Sequence, residues 1–385
     1  MIPIAKPFLD EREADAVRRV ILSGWITQGP EVAAFERDLR EVVGAPYACA
    51  VSNCTTALHL ALLAAGVRPG DEVITVSHSY IATANSIRYC GAKPVFVDIC
   101  PESFNLDPGL VEAAISARTR ALLCVHQIGM PCDLARLAPI AEKHSLPLIE
   151  DAACAVGSEI LWNGEWQRIG RPHGDAACFS FHPRKVLSTG DGGMITTKHK
   201  DWDARFRLWR QHAMSVPDTV RHGSNKVIFE SYPELGYNYR MTDVQAAIGR
   251  EQLKRLPDFV SRRRQMAARY HSLLGDIPNL RLPAEPEWAR SNWQSYCVRL
   301  LNGLDQKAVM QALLERGIAT RRGIMCSHRE DAYPNDSWRS AGALEASEKA
   351  QDECILLPLY HQLKQEEQQL IADQLRAVLQ ALCTA

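Results

Sequence analysis

The stretch Phe179-Ser180-Phe181-His182-Pro183-Arg184-Lys185-Val186-Leu187-Ser188-Thr189-Gly190-Asp191-Gly192-Gly193-Met194 places an amine between an apolar run and a Gly-rich turn. A lysine on a loop at a strand end lies where α/β sheets set reactive groups, and it can form a Schiff base and then move protons. Ser180 offers a hydroxyl to an anionic ligand. A solvated lysine beside a tight turn is the other reading. In Ile149-Glu150-Asp151-Ala152-Ala153-Cys154-Ala155 a carboxylate follows an apolar run and precedes small residues that allow close approach. Such an acid can hold a protonated pyridine nitrogen through a charge-assisted bond, and Asp151 fits that role better than Glu150. Capping of a helix is the alternative use of an acid there.

Two further segments supply different chemistry. In Ala48-Cys49-Ala50-Val51-Ser52-Asn53-Cys54-Thr55-Thr56-Ala57-Leu58 a strand runs directly into a helix. Free backbone N–H groups and the hydroxyls of Thr55 and Thr56 make a phosphate cradle if the helix begins near Thr55, although Ser52 or Asn53 can equally serve as an ordinary cap. In His78-Ser79-Tyr80-Ile81-Ala82-Thr83-Ala84-Asn85 an aromatic ring follows an apolar strand, where Tyr80 can stack on a planar ligand or simply cover the sheet edge. A Schiff-base lysine, an acid for a ring nitrogen, a phosphate cradle and a stacking ring are the parts that pyridoxal phosphate (PLP) needs.

Behind these residues stand elements that must position them. Short apolar runs at Tyr47–Ser52, Glu72–Val76, Pro94–Asp98, Ala121–Val125, Pro147–Glu150, Ala177–Phe181 and Met194–Thr197 alternate with helical patterns at Thr56–Ala65 and Asp133–His144. That alternation predicts a mainly parallel sheet flanked by helices. Asp10–Leu22 reads as an amphipathic helix ahead of it. A Pro-rich segment, Pro278–Pro286, follows the helical patterns of Val244–Leu256 and the Arg262-Arg263-Arg264 region. Beyond it, Ser295–Leu300, Ala308–Arg316, Ile318–Arg322 and Glu367–Leu382 suggest strands and helices of a smaller α+β unit. The expected division is a large domain over 1–255 and a smaller one over 256–385.

At 385 residues with 46% hydrophobic side chains, the chain has the material for two cores. Basic and acidic residues, 44 and 45, nearly cancel, so no long-range field favours nucleic acid or an anionic membrane, and a small molecule is the expected partner. No apolar run is long enough to span a bilayer, and no secretory pattern opens the chain. The twelve cysteines form no CxxC pair and several lie in apolar runs, which predicts buried free thiols in a reducing cytoplasm. No histidine pair at ligand spacing accompanies them, so no metal site is expected.

In order and spacing these segments resemble the nucleotide-sugar aminotransferase family, the DegT or StrS family of fold type I PLP-dependent enzymes. The resemblance spans nearly the whole chain. It includes Gly24-Trp25-Ile26-Thr27-Gln28-Gly29-Pro30, Thr55-Thr56-Ala57-Leu58-His59-Leu60, Gly70-Asp71-Glu72-Val73-Ile74, Asp151-Ala152-Ala153, the Ser180–Met194 stretch, and Glu234-Leu235-Gly236-Tyr237-Asn238-Tyr239-Arg240-Met241-Thr242-Asp243. It implies that Lys185 carries the cofactor, Asp151 pairs with its pyridine nitrogen, and Tyr80 stacks on the ring. Thr55, Thr56 and Ser180 would hold the phosphate. Asn238 would reach the cofactor phosphate of a neighbouring subunit, which implies a homodimer with shared sites. The position after Asp151-Ala152-Ala153 is commonly Gln or His in this family, near the ring hydroxyl; here it is Cys154, a poor hydrogen-bond partner.

The implied reaction moves an amino group from an amino acid, expected to be L-glutamate, to a keto sugar, expected to be nucleotide-activated. Relatives that eliminate water from a sugar replace the lysine with histidine, so Lys185 argues against that activity. A non-catalytic regulator on the same fold would have lost the lysine or the acid, and both are present. Arg321 and Arg322 can face a nucleotide phosphate or a donor carboxylate, or can be solvated or paired with Glu330.

Overall fold

The computed structural model describes residues 1–217, 220–221 and 223–383. Near-continuous apolar runs build its central sheet, as expected of strands covered on both faces. The strands are β1 (Tyr47–Val51), β2 (Glu72–Val76), β3 (Lys93–Val97), β4 (Thr119–Val125), β5 (Leu148–Asp151), β8 (Ala176–Ser180) and β9 (Gly193–Thr197), with β6 (Glu159–Trp162) and β7 (Glu165–Arg168) forming a separate hairpin. All seven expected strands are present, within two residues of their predicted bounds. The order is β1-β9-β8-β5-β4-β2-β3-β14, where β14 (Arg339–Ser340) is a two-residue strand from far along the chain that pairs in parallel with β3. Only β9 runs against its neighbours. The carboxyl ends of the other strands therefore share one edge, and β9 brings its first residue, Gly193, to that same edge.

α1 (Glu11–Ser23) packs on α8 (Asp243–Lys254), and helices α2 (Pro30–Val43), α3 (Cys54–Ala64), α4 (Ala82–Tyr89), α5 (Pro108–Ala114), α6 (Leu134–Lys143) and α7 (Lys200–Trp209) cover the sheet with α8. Asp10 caps α1 in a box with Glu13, and Gly24 ends the helix in the left-handed region at φ 77°. α3 begins two residues before the predicted Thr56, because the Asn53 side chain accepts the Thr56 N–H at 2.9 Å and caps it there. Asp243, the first residue of α8, accepts the N–H groups of Gly29 and Val32 (2.8 and 3.0 Å) on Oδ1 and that of Glu31 (3.2 Å) on Oδ2. Two distant sequence motifs, Gly29-Pro30 and Thr242-Asp243, thus meet at the start of α2.

The rest of the chain builds a second layer. α9 (Leu256–Leu274) leads to β10 (Leu280–Arg281), β11 (Ala289–Arg290), β12 (Tyr296–Leu300), α10 (Gln306–Glu315), β13 (Arg321–Arg322), α11 (Glu345–Glu353), β15 (Cys354–Leu357) and α12 (Gln365–Cys383). An antiparallel sheet β10-β12-β15-β13 packs under α9, α10 and α12. The Pro-rich segment is not a plain linker, since its Leu280 and Arg281 pair with β12. Of the strand expected over Ile318–Arg322, only Arg321–Arg322 forms; Ile318 bridges Ile2 instead. Leu256, Phe259 and Val260 of α9 sit in the main core, whereas Met266, Tyr270 and Leu274 sit in the second. One helix therefore ties both cores together. The twelve cysteines are all free, and nine are buried.

Candidate active site

Strand direction decides which side chains meet. Asp151 ends β5, Ser180 ends β8, and Gly193 opens β9 opposite both Val51 and Ser180. A Cβ on Gly193 would lie 2.5 Å from the Asn53 carbonyl carbon and 2.8 Å from Cys54 N. Only glycine lets β9 pass this close to the start of α3.

Neighbouring acids on β5 face different partners. Glu150 is fully buried and saturated: it accepts N–H groups from Gly174 (2.8 Å) and His126 Nε2 (3.1 Å). Asp151, 4% exposed, accepts the Thr83 hydroxyl at 2.7 Å on Oδ2 and the Ala153 N–H at 3.1 Å on Oδ1. The Cys54 thiol lies 4.0 Å from Oδ1. Burial raises the Asp151 pKa; the bonds from Thr83 and Ala153 pull against that shift without overcoming it. No ion pair engages this carboxylate among the described residues, so it suits a cationic N–H brought in by a ligand.

Lys185 follows a turn closed by its own N–H donating to the His182 carbonyl (2.8 Å). Its Nζ donates to Cys154 Sγ at 3.0 Å. Burial works to lower the Lys185 pKa, but the Cys154 contact, with Cys54 and Asp151 nearby, turns the net shift upward. Cys154 is thus not idle at the position where the family commonly has an amide or imidazole: it is the polar contact of the lysine amine.

The other expected residues divide. Ser180 Oγ, half-buried, accepts the His182 N–H at 3.4 Å. The Thr56 hydroxyl donates to the Asn53 carbonyl at 2.7 Å and meets Ser52 Oγ at 3.3 Å, so in this structure it serves the cap. Thr55, half-buried, stands in the first turn of α3. Tyr80 is 60% exposed. Asn238 is exposed between Tyr237 and Tyr239, whose rings stack 4.9 Å apart and turn toward His59. Arg322 pairs with Glu330 at 3.3 Å. Arg321 has its pKa lowered by partial burial and then by the Arg184 guanidinium, with Tyr80 pulling the other way.

Three contributors escaped sequence reasoning. Thr83 lay unmarked in a quoted segment, although its place one turn after Tyr80 signals a hydroxyl on the same side. Asn292 and Gln294 lay in no motif. Asn292 Nδ2 donates to the carbonyls of Cys154 and Val156, both at 2.8 Å, and Gln294 Nε2 donates to the Arg184 carbonyl at 3.1 Å. No cluster of three metal-ligating side chains occurs among the described residues, and no described helix is long and apolar enough to cross a membrane.

The arrangement fits PLP by its donor set: a buried acid in no ion pair, an amine whose hydrogen bond goes to a thiol, and a capped helix start beside a glycine that opens a strand. Comparison with known proteins agrees. Residues 7–376 match the model of the DegT/DnrJ/EryC1/StrS aminotransferase family. The chain is 34% identical over 382 residues to the spore coat polysaccharide biosynthesis protein SpsC of Bacillus subtilis strain 168, covering 98% of this chain and 97% of that protein. Among solved structures it is similar to the aminotransferase TlmJ from Streptoalloteichus hindustanus, at 34% identity with all of both chains covered and a TM-score of 0.90. It is also similar to Spr1654 from Streptococcus pneumoniae. Against the PMP form of Spr1654 the identity is 28%, with 99% and 100% of the two chains covered and a TM-score of 0.92. Spr1654 has been solved in a PLP form as well, matched with a TM-score of 0.90. The chain belongs to the DegT/DnrJ/EryC1/StrS aminotransferase family and is a PLP-dependent sugar aminotransferase.

Proposed function

We propose that the chain transfers an amino group from L-glutamate to a keto sugar carried on a nucleotide, within the cytoplasm, in the making of an amino sugar. The observation that carries this reading is the meeting of Lys185 Nζ with Cys154 Sγ at 3.0 Å near the buried Asp151, whose bonds are to the Thr83 hydroxyl and the Ala153 N–H. In the proposed site Lys185 holds the cofactor, Asp151 faces its ring nitrogen and Cys154 lies by its ring hydroxyl. Tyr80 covers the ring, and Thr55, Thr56 and Ser180 face the phosphate at the start of α3. When bound, PLP supplies an electron sink for the carbon that bears the amine.

The chain's own groups do the rest. Lys185 Nζ takes the proton from the α-carbon of the donor, and in the second half of the cycle returns one to the sugar carbon that receives the amine. Asp151 keeps a negative charge against the ring nitrogen, its own geometry fixed by the Thr83 hydroxyl and the Ala153 N–H. Arg184 and Arg321, whose charges act on each other, meet the anionic part of the substrate.

We also assign a homodimer. Tyr237 and Tyr239 turn inward to His59, which leaves Asn238 facing outward, and the adjoining segment exposes Val227 (83%), Phe229 (91%) and Leu235 (80%). Apolar residues displayed together in this way suit a partner surface, and Asn238 then serves the partner's cofactor phosphate. The test is direct. Purified chain should be yellow, should bleach on adding L-glutamate, and should regain colour when a nucleotide keto sugar is added. Colour that glutamate leaves unchanged, with no turnover of any keto sugar, removes the proposal.

A further inference from the structure

We propose that Asn292 and Gln294 are positioning residues for this site: their amides anchor the two loops that carry Cys154 and Lys185, and so set the separation of that thiol from that amine. The inference rests on Lys185 being the working lysine. Asn292 is buried and all of its side-chain bonds act on this region. Nδ2 donates to the Cys154 and Val156 carbonyls at 2.8 Å, and Oδ1 accepts the Gln294 N–H at 2.9 Å, which shapes the turn. Gln294 Nε2 then donates to the Arg184 carbonyl, one residue before Lys185. One short turn therefore grips the peptide of Cys154 on one side and the peptide leading into Lys185 on the other.

The turn is itself braced. Trp293 sits in the left-handed region at φ 51°, a conformation a tryptophan keeps only when its surroundings hold it there. Arg263 supplies that hold, its Nη1 donating to the carbonyls of Trp293 (3.1 Å), Gln294 (3.1 Å) and Leu359 (3.2 Å). Arg263 is buried with carbonyls as its partners, and burial lowers its pKa to about 10, so it remains a cation at neutral pH. Such an investment of buried polar groups in one strained turn goes beyond what joining β11 to β12 requires.

The consequence falls on the Lys185 amine. An amine attacks a carbonyl carbon only when unprotonated, and the thiol contact is the first of the influences that raise its pKa. The groups acting on Lys185 are Cys154 from the turn after β5, Cys54 from α3 and Asp151 from β5; His182 lies close enough on its own loop to feel it, and Lys6, Arg263 and His361 line the same pocket. Of these, the Cys154 distance is the one the turn controls from both ends.

The experiment uses two neutral substitutions that fill the same space and put no new charge beside Lys185: Asn292→Leu and Gln294→Met. In the cofactor-free chain, the pH midpoint of Lys185 labelling by a short acylation pulse is read by peptide mass. In the PLP-loaded chain, the pH midpoint of the visible band is read separately. The labelling midpoint should fall by about one pH unit, the equivalent of one lost polar contact, and the midpoint of the visible band should move away from that of the unmutated chain. Glu72→Gln, at the opposite edge of the sheet, should lower Tm without moving either midpoint. If Asn292→Leu does not fold, Gln294→Met at its half-buried position carries the test alone. Midpoints equal to those of the unmutated chain in a folded Gln294→Met would overturn the proposal and leave the turn as a brace of the fold. Borohydride reduction of the unmutated chain separates the underlying reading, because cofactor trapped on another lysine defeats that reading and not the labelling result.

Discussion

Gly193→Ala tests the phosphate cradle through one methyl group. The added carbon would lie 2.5 Å from the Asn53 carbonyl carbon, 2.6 Å from its oxygen and 2.8 Å from Cys54 N. All three are backbone atoms, so no side chain can swing aside; either β9 or the start of α3 must move by about an ångström. Overpacking of this kind costs about 1–3 kcal/mol in stability, and rigid backbone neighbours place it at the upper end. The movement displaces the N–H groups at the α3 start from a bound phosphate, and hydrogen bonds to a charged group contribute about 1.5–3 kcal/mol. PLP affinity should therefore fall by roughly 10- to 150-fold. Pyridoxal, which has the ring and aldehyde but no phosphate, should bind the variant and the unmutated chain alike. Titration by absorbance gives both affinities, and urea denaturation gives the stability. Equal losses for PLP and pyridoxal would mean that the variant damages the site generally. An unchanged PLP affinity in a folded variant would refute the placement of the phosphate at α3.

Lys185→Ala should cut turnover by at least about 10² to 10⁴-fold, since anchor and proton carrier go together, and peptide mapping after borohydride should find the cofactor on Lys185 in the unmutated chain. Asp151→Asn should fold, because the amide oxygen can still accept the Ala153 N–H while its NH2 donates to the Thr83 hydroxyl, yet turn over far more slowly; near-normal turnover counts against its pairing with the ring nitrogen. Co-expression of Asn238→Asp with Lys185→Ala chains should restore about a quarter of the sites, because half of randomly paired dimers are mixed and each holds one intact site. Activity of the mixture no greater than that of the two parents shows that Asn238 acts within its own chain, or not at the cofactor at all. Glu72, held by Arg339, Ser116 and Arg118, has its pKa lowered from 4.5 to about 2. The full shift is worth about 3 kcal/mol, which screening at the exposed Arg118 reduces to about 1–2. That stability is present above pH 4.5 and is lost as pH falls through 2, so Glu72→Gln should cost it at pH 7 and nothing at the acid end. Urea midpoints measured across pH check this.

Much of the main sheet was legible because its strands are covered on both faces, which demands apolar runs bounded by Gly and Pro, a pattern that neighbours along the chain reveal. The residue types at the strand ends were legible for the same reason: Asp151 and Lys185 each follow such a run. β14 was not legible. Two residues, Arg339 and Ser340, carry no periodicity, and they form a strand only because β3 offers an unpaired edge. The expected strand from Ile318 shrank because Ile318 found Ile2, a partner more than three hundred residues away in the chain.

The sequence by itself determined the kind of chemistry: a lysine, an acid, a helix start and a glycine turn in an α/β frame, in an order matched by one aminotransferase family. Tertiary structure decided how those groups are used. It turned Glu150 toward His126 and Asp151 toward Thr83, two adjacent residues whose side chains a strand must send to opposite faces. It set the Thr56 hydroxyl against the Asn53 carbonyl at the start of α3, and it made Cys154 the partner of the Lys185 amine. It also brought Asn292 and Gln294, more than a hundred residues downstream, onto both loops at once. Hydrogen bonds of that kind depend on positions a few tenths of an ångström apart, and such positions are set by the packing of two cores around α9 and not by any local pattern of residues.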